Sequence, residues 1–468
     1  MFTEMRVRNF KSWRDTGPIR LAPVTAFFGT NSSGKTSLLQ SLLLMKQTVQ
    51  STDRGQVLNF GDRPSLVSLG HFGDVIHGRD PRMRLGLEFS WVVKERIEVS
   101  DPDHRNEILL RADEISFATE VGSRNGDLQV ERFSYRPRDA GEQVARIDYR
   151  RRSRQQRRRP EYELAAEVGG NTNFLRRFQG RAWGLPPPAN CYGFPDEAYT
   201  YFQNSAFINP FEIELERKFR RSLFYLGPLR RYPQRSYSWQ GAVPADVGVE
   251  GERSIEVLLA SRQRPAREGI ARRLRSDGRA IRRIPVEAVV RDWLRELNLV
   301  HEFIVEQIAP NSEFYQVRIR RSAESENVFL PDVGFGVSQA LPVLVMLATV
   351  PMGSVVILEQ PELHLHPSAQ SELADVILET ARVNRAQVIV ESHSEHLLTR
   401  LQRRVAEENV EAEKLALYFC RNEGGRSVLE DLRLNVLGEI GNWPPHFFGD
   451  PMGESVAMVQ ARARRNTD

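Results

Sequence analysis

Apolar and polar positions alternate from Met5 to Trp13, Asp15-Thr-Gly-Pro18 forms a turn signal, and Ile19 to Phe28 is apolar again. That pattern predicts two strands joined by a turn. The second runs directly into Gly29-Thr-Asn31-Ser32-Ser33-Gly34-Lys35-Thr36-Ser37, and residues 38–50 carry a helical apolar period. Residues 51–80 are glycine-rich and irregular, with 68–76 as a connection. Short alternating segments at 83–93, 108–117 and 128–135 predict an antiparallel meander within 82–150. Residues 160–200, rich in proline, glycine and asparagine, read as a mobile insertion. Helical segments are expected over 210–223 and 255–297, and strands over 302–308 and 314–321.

The distal third has a simpler rhythm. An apolar strand, Ser354 to Leu358, ends in Glu359-Gln360-Pro361-Glu362; a helix over 368–382 follows; a second apolar strand, Gln387 to Val390, ends in Glu391-Ser-His393-Ser-Glu-His396. This is a βαβ unit, which presents its polar strand ends at one edge of a parallel sheet. Just upstream, Asp332-Val-Gly334-Phe-Gly336-Val-Ser338-Gln339 reads as a glycine loop opening a helix with Ser338 at its N-cap.

The first of these loops carries the chemistry. A strand, a loop bounded by Gly29 and Gly34, and a helix starting at Lys35 wrap an anion with backbone N–H groups and the positive end of the helix. Lys35 would reach the β- and γ-phosphates of a nucleotide, and the Thr36 hydroxyl would sit on Mg²⁺. Glu359, at a strand end on the same sheet edge, could hold that ion. The second glycine loop is a second anion site, suited to closing on the γ-phosphate of another subunit.

Composition sharpens this picture. Of 65 basic residues only six are lysines (11, 35, 46, 94, 218 and 414), and 59 are arginines. In so arginine-biased a chain, a lysine at 35 selects a compact, strongly hydrated charge. Seven arginines fall within 150–159, and a second cluster spans 262–283; both could be solvated loops or contacts to a polyanion, and only non-specific DNA or RNA binding is legible. At 468 residues the chain exceeds one ordinary core. No run approaches 18 apolar residues, the N-terminus lacks a secretory apolar segment, and Cys191 and Cys420 make no disulfide framework. No membrane association and a cytoplasmic setting are therefore expected.

These motifs together resemble ABC-type ATPases of the RecF/SMC/OLD-like group, broadly AAA-family. The nearest likeness is the bacterial branch whose strand reads ILEQPELHLHP, as it does here from Ile357 to Pro367. The tail from Leu437 to Phe448 resembles that branch's small C-terminal domain of unknown function. The resemblance implies an α/β fold: an ABC-ATPase-like head with a mixed or antiparallel N-terminal β subdomain, a parallel-sheet P-loop core and an inserted variable α/β region. The domain limits implied are an N-terminal ATPase lobe over 1–95, the insertion over 96–204, and a returning segment over 205–325. A second ATPase lobe over 326–425 and a C-terminal domain over 426–468 complete them.

The resemblance also assigns roles. Gly29, Asn31, Ser32, Ser33, Gly34, Lys35, Thr36 and Ser37 bind ATP; Gly336 and Ser338 belong to the signature loop that meets the partner's γ-phosphate. Thr36 and Glu359 hold Mg²⁺, and Glu359, Gln360, Glu362 and His393 form the catalytic set, His393 sensing the γ-phosphate. The family's catalytic glutamate is replaced by Gln360, and an amide cannot take a proton from water. Either Glu362, Glu391 or another carboxylate serves instead, or turnover is slow and ATP binding is itself the switch. The Glu362-x-His364-x-His366 spacing fits a D-loop or a metal triad. The activity implied is ATP-driven dimerisation, into a homodimer or higher oligomer of heads, coupled to nucleic acid or a separate effector such as a nuclease. Its setting is anti-phage defence or genome maintenance, and the alternative is a slowly hydrolysing or non-hydrolysing scaffold that holds an effector.

Overall fold

The computed structural model describes residues 1–61, 65–102, 104, 106–152, 162–179, 184–263, 270–274, 281–444, 456–459 and 462, with the backbone alone over 263, 270–274 and 281–283. The chain opens with β1 (Phe2–Phe10), β2 (Trp13–Asp15), β3 (Ile19–Arg20), β4 (Val24–Gly29) and helix α1 (Lys35–Gln50). After the short α2 (Phe72–Val75) come β5 (Leu85–Ser100), β6 (Ile108–Arg124), β7 (Asp127–Asp139), β8 (Glu142–Gln143), β9 (Ala145–Arg151) and β10 (Tyr162–Val168). Helices α3 (Asp196–Thr200) and α4 (Asn209–Arg221) lead to β11 (Leu223–Leu226), β12 (Tyr237–Ser238) and α5 (Ser254–Gln263). Then follow β13 (Ile270–Leu274), β14 (Ile281–Pro285), α6 (Val286–Glu296), β15 (Glu302–Gln307), β16 (Phe314–Arg320) and β17 (Val328–Phe329). The last stretch holds α7 (Phe335–Thr349), β18 (Val355–Glu359), α8 (Pro367–Val383), β19 (Gln387–Glu391), α9 (Glu395–Ala406), β20 (Leu415–Glu423) and β21 (Arg426–Asp431).

The fold is α/β, with two large sheets among the described residues. An antiparallel sheet runs β10-β9-β7-β6-β5-β1-β2, with β3 and β8 paired at its flanks. The core sheet runs β11-β18-β19-β4-β20-β21, parallel throughout except for β21. Strands buried on both faces read as continuous apolar runs, and those of the core sheet do. Their alternation still decides partners: Phe27, Ile357, Ile389 and Tyr418 face a core shared with the antiparallel sheet, α1 and α4. Ala26, Phe28, Leu358, Val390 and Phe419 face a second core shared with α5 to α9.

The meander expected within 82–150 is longer than its alternation suggested, because β5 runs unbroken through position 95 and pairs with β1. The segment beyond 95 is therefore one layer with the N-terminal strands. The helical expectation over 255–297 is corrected: α5 and α6 flank the hairpin β13–β14. The turn signal was present in Asp277-Gly278, but Ile270, Leu274, Ile281 and Ile284 recur at helical spacing, which is why the segment reads as helix.

One side chain couples the two sheets. Gln387, fully buried at the start of β19, accepts from the Phe2 N–H at 2.8 Å and donates to the carbonyls of Phe2 at 2.8 Å and Ala22 at 3.0 Å. Replacing it with leucine takes this partner from the Phe2 N–H and carbonyl and leaves the Ala22 carbonyl to the Thr25 hydroxyl at 3.2 Å. Gln387→Leu is expected to cost about 3 kcal/mol of stability, read as a lowered denaturation midpoint at unchanged m-value.

Candidate nucleotide site

The C-terminal edge of the core sheet gathers the end of β4, its neighbour β20, and the acidic ends of β18 and β19. Gly29 adopts φ +140°, and a Cβ there would lie 2.0 Å from the Cys420 carbonyl oxygen, so only glycine lets the loop leave the strand so close to β20. Gly34 follows at φ +96° as the N-cap of α1, with no side-chain cap and no acidic residue in the first turn. The helix start thus leaves its N–H groups free for an anion. Trp13 Nε1 donates to the Gly34 carbonyl at 3.0 Å and pins the loop to the N-terminal hairpin. Asn31 and Ser32 are exposed, while the Ser33 hydroxyl is buried without a protein partner.

Lys35 is buried, and its Nζ donates to the carbonyls of Gly29 at 3.1 Å and Thr30 at 2.8 Å. Burial pushes its pKa down, and the nearby Glu391 opposes that. The Thr36 hydroxyl donates to Glu391 Oε2 at 2.8 Å. Glu359, the acid expected opposite Thr36, is instead gripped by the Tyr225 hydroxyl at 2.9 Å. Burial, reinforced by Glu391, raises the Glu359 carboxyl to about 7. Tyr225 was not legible as a site residue, although β11 pairs in register with β18. Its hydrogen bond favours the ionised carboxylate. Tyr225→Phe is therefore expected to move the Glu359 midpoint higher, read by carboxyl-carbon NMR of the metal-free protein.

Glu362 is buried beneath this edge. Its Oε1 accepts from the Ser392 hydroxyl and the His393 N–H, both at 2.8 Å, while Oε2 has no partner. Burial raises its pKa as well. The His393 ring is half-buried and hydrogen-bonds to the Gly29 backbone; burial, then Lys35, lowers its pKa, so the imidazole is neutral at pH 7. Gln360 sits at φ +44°, its N–H donating to the Glu391 carbonyl at 2.8 Å. Arg230 donates to the carbonyls of Glu359 at 2.9 Å and Gln360 at 3.3 Å, so it fixes this turn from below. Lys11 also feels Glu359 and donates to Gln40. It is another of the six lysines, the signal that would have found it.

The signature loop makes a different set of contacts. The expectation that Ser338 caps its helix is corrected: α7 begins at Phe335 behind Gly334, and the Ser338 hydroxyl donates back to the Phe335 carbonyl at 2.9 Å within the first turn. Gly336, a poor helix former, argued for the later start. It is accommodated because a Cβ there would approach the His364 carbonyl at 3.3 Å. Among the described residues no hydrogen bond joins 334–338 to the loop 29–37. The metal-triad reading falls: Glu362 turns to His393, His364 faces the Phe335 ring, and His366 accepts from the Ser368 N–H at the start of α8.

The described arginines of the two clusters are neutralised. Arg150 and Arg152 share Glu163, Arg151 pairs with Glu131, and Arg262 makes a two-pronged bond to Glu287. Residues 153–159 and most of the second cluster lie outside the described residues, as do 445–448 of the tail.

Taken together, the edge fits a Mg²⁺-nucleotide: an uncapped helix start, glycines that admit phosphate, a buried lysine, an orphaned serine hydroxyl, and a carboxylate on Thr36 with Glu359 at the neighbouring strand end. Residues 206–399 match the family model described as "AAA domain, putative AbiEii toxin, Type IV TA system". No curated protein matches the chain. Among solved structures, an SMC head bound to the C-terminal winged-helix domain of ScpA is 11% identical, with TM-score 0.45, 93% of this chain and 98% of that one covered. The SMC head of Thermotoga maritima is 11% identical at TM-score 0.40, with 92% and 99% covered. A Pyrococcus furiosus SMC head with an extended coiled coil, bound to the C-terminal domain of ScpA, is 10% identical at TM-score 0.43, with 99% of each chain covered. Residues 206–399 thus resemble an AAA-type ATPase domain. Among the described residues no helix is long and apolar enough to cross a membrane.

Proposed function

We propose that this protein binds and hydrolyses Mg²⁺-ATP as one of two heads that close around nucleotide, and that closure is coupled to an effector protein in bacterial defence or genome maintenance. The observation that carries the ATP reading is the joined set Gly29–Lys35–Thr36–Glu391 at one sheet edge. Bound Mg²⁺ would neutralise phosphate charge. Gly29, Asn31, Ser32, Ser33, Gly34 and Ser37 line the phosphates with backbone donors, and Lys35 exchanges its two loop carbonyls for phosphate oxygens. Thr36 and the strand-end acids hold the ion, and His393, beside Gly29, stands at the γ-phosphate end of the loop.

Head pairing is supported by the exposed surface at the signature loop. Phe335 is 58% exposed and Tyr232 59%, their rings 6.0 Å apart, beside Ser338 and Gly336. Such aromatic exposure on a folded surface favours a protein partner. The toxin wording of the matched family supports the defence setting. A second reading, a slow or non-hydrolysing head that holds its effector while ATP is bound, is favoured by Gln360 alone.

The test is steady-state ATP turnover by the full chain, with and without double-stranded DNA, against Lys35→Ala. Turnover lost in the variant supports the ATPase; tight ATP binding with negligible turnover in both conditions selects the scaffold. Turnover indifferent to Lys35 sinks both.

A further inference from the structure

Two neighbouring strand ends have divided their chemistry in an unusual way. β18 ends in Glu359 followed by an amide, Gln360, and β19 ends in a carboxylate, Glu391, paired across from Glu359. The Gln360 N–H donates to the Glu391 carbonyl. Glu391 Oε2 meanwhile accepts from Thr36 in the first turn of α1. The Glu391 backbone is therefore fixed by position 360 and its carboxylate turned to the residue placed to meet the ion, while 2% exposed. Glu362, the other carboxylate at hand, spends Oε1 on Ser392 and His393, and its hydrogen bonds include none to the phosphate loop.

We propose that Glu391 supplies to the Mg²⁺-ATP site the carboxylate that Gln360 does not, standing with Thr36 at the metal face of the loop. Position 360 then fixes the strand end that carries Glu391 through its backbone N–H, a role that needs no proton given or taken by the side chain. This inference rests on the reading of the loop as an ATP site. It places the acidic partner of Thr36 on β19, one strand away from where the motif around Glu359 locates it.

The experiment measures affinity of the full chain for a fluorescent ATP analogue with and without Mg²⁺. Glu391→Gln is isosteric and still accepts from Thr36, so a merely structural role survives it. The expected result is wild-type affinity without Mg²⁺ but loss of about tenfold or more of the affinity gained on adding Mg²⁺. The double variant Gln360→Glu/Glu391→Gln, which moves the carboxylate to the adjacent strand end, is expected to recover that gain. An undiminished Mg²⁺ gain in Glu391→Gln, no gain in the wild type, or no recovery in the double variant overturns the proposal. Lys35→Ala separates the premises: if analogue binding is indifferent to it, the ATP site itself is refuted.

Discussion

Lys35→Ala is expected to lower ATP turnover by about 10²–10³-fold, the loss typical when one preorganised donor to developing charge is removed. The ammonium is buried, and among the described residues it donates to the Gly29 and Thr30 carbonyls. Thr30 is exposed, so water can replace the lysine there, and the cost to folding is small. What is lost is the single mobile charge that can follow the phosphate. The same variant removes the cation that helps hold the His393 pKa down, so that imidazole should titrate at higher pH. A coupled phosphate-release assay with a thermal melt checks both halves: low turnover at near-normal melting temperature is expected. A melt lowered as far as the activity would mean that Lys35 is structural.

The phosphate loop was legible because its local rules agree: glycines where φ is positive, an apolar strand before and an apolar-periodic helix after. The βαβ unit around Glu359 and Glu391 was equally plain, since β18 and β19 are buried on both faces and leave no alternative period. What escaped was everything set by tertiary contact. Nothing in Phe224-Tyr225-Leu226 says that the hydroxyl meets Glu359; only the parallel register of β11 with β18 does. The start of α7 was misplaced because Gly336 looks like a loop residue until His364 packs against it. The reach of β5 through 95 likewise depends on β1, which is far away in sequence. The hairpin β13–β14 is a different failure, since Ile270, Leu274, Ile281 and Ile284 fall at helical spacing and only the pairing of the two strands overrides it.

Arg230→Met should be the most destabilising single change at the site, by about 3–5 kcal/mol, because it removes a buried cation that faces two buried acids, Glu359 and Glu362. The guanidinium is 9% exposed, and burial lowers its pKa to about 10. It carries two burdens at once. It donates to the carbonyls of Pro228, Glu359 and Gln360, the last of which also accepts from the Leu363 N–H, in a turn where Gln360 sits at φ +44°. It also offsets the charges of Glu359 and Glu362, whose pKa values it holds down against burial. Methionine keeps the volume but leaves those carbonyls and carboxylates uncompensated. Lysine restores the charge without a planar fork able to span two carbonyls, so Arg230→Lys should recover only part of the loss. The pH dependence has a definite sign. Without Arg230 both carboxyls are raised further above their unfolded values, so they take up protons on folding, and the deficit should shrink as pH falls from 8 towards 5. Urea denaturation of the wild type and both variants at the two pH values checks this. A deficit below about 1 kcal/mol, or one that grows towards acid, would mean that water already solvates these acids and that Arg230 is a bystander.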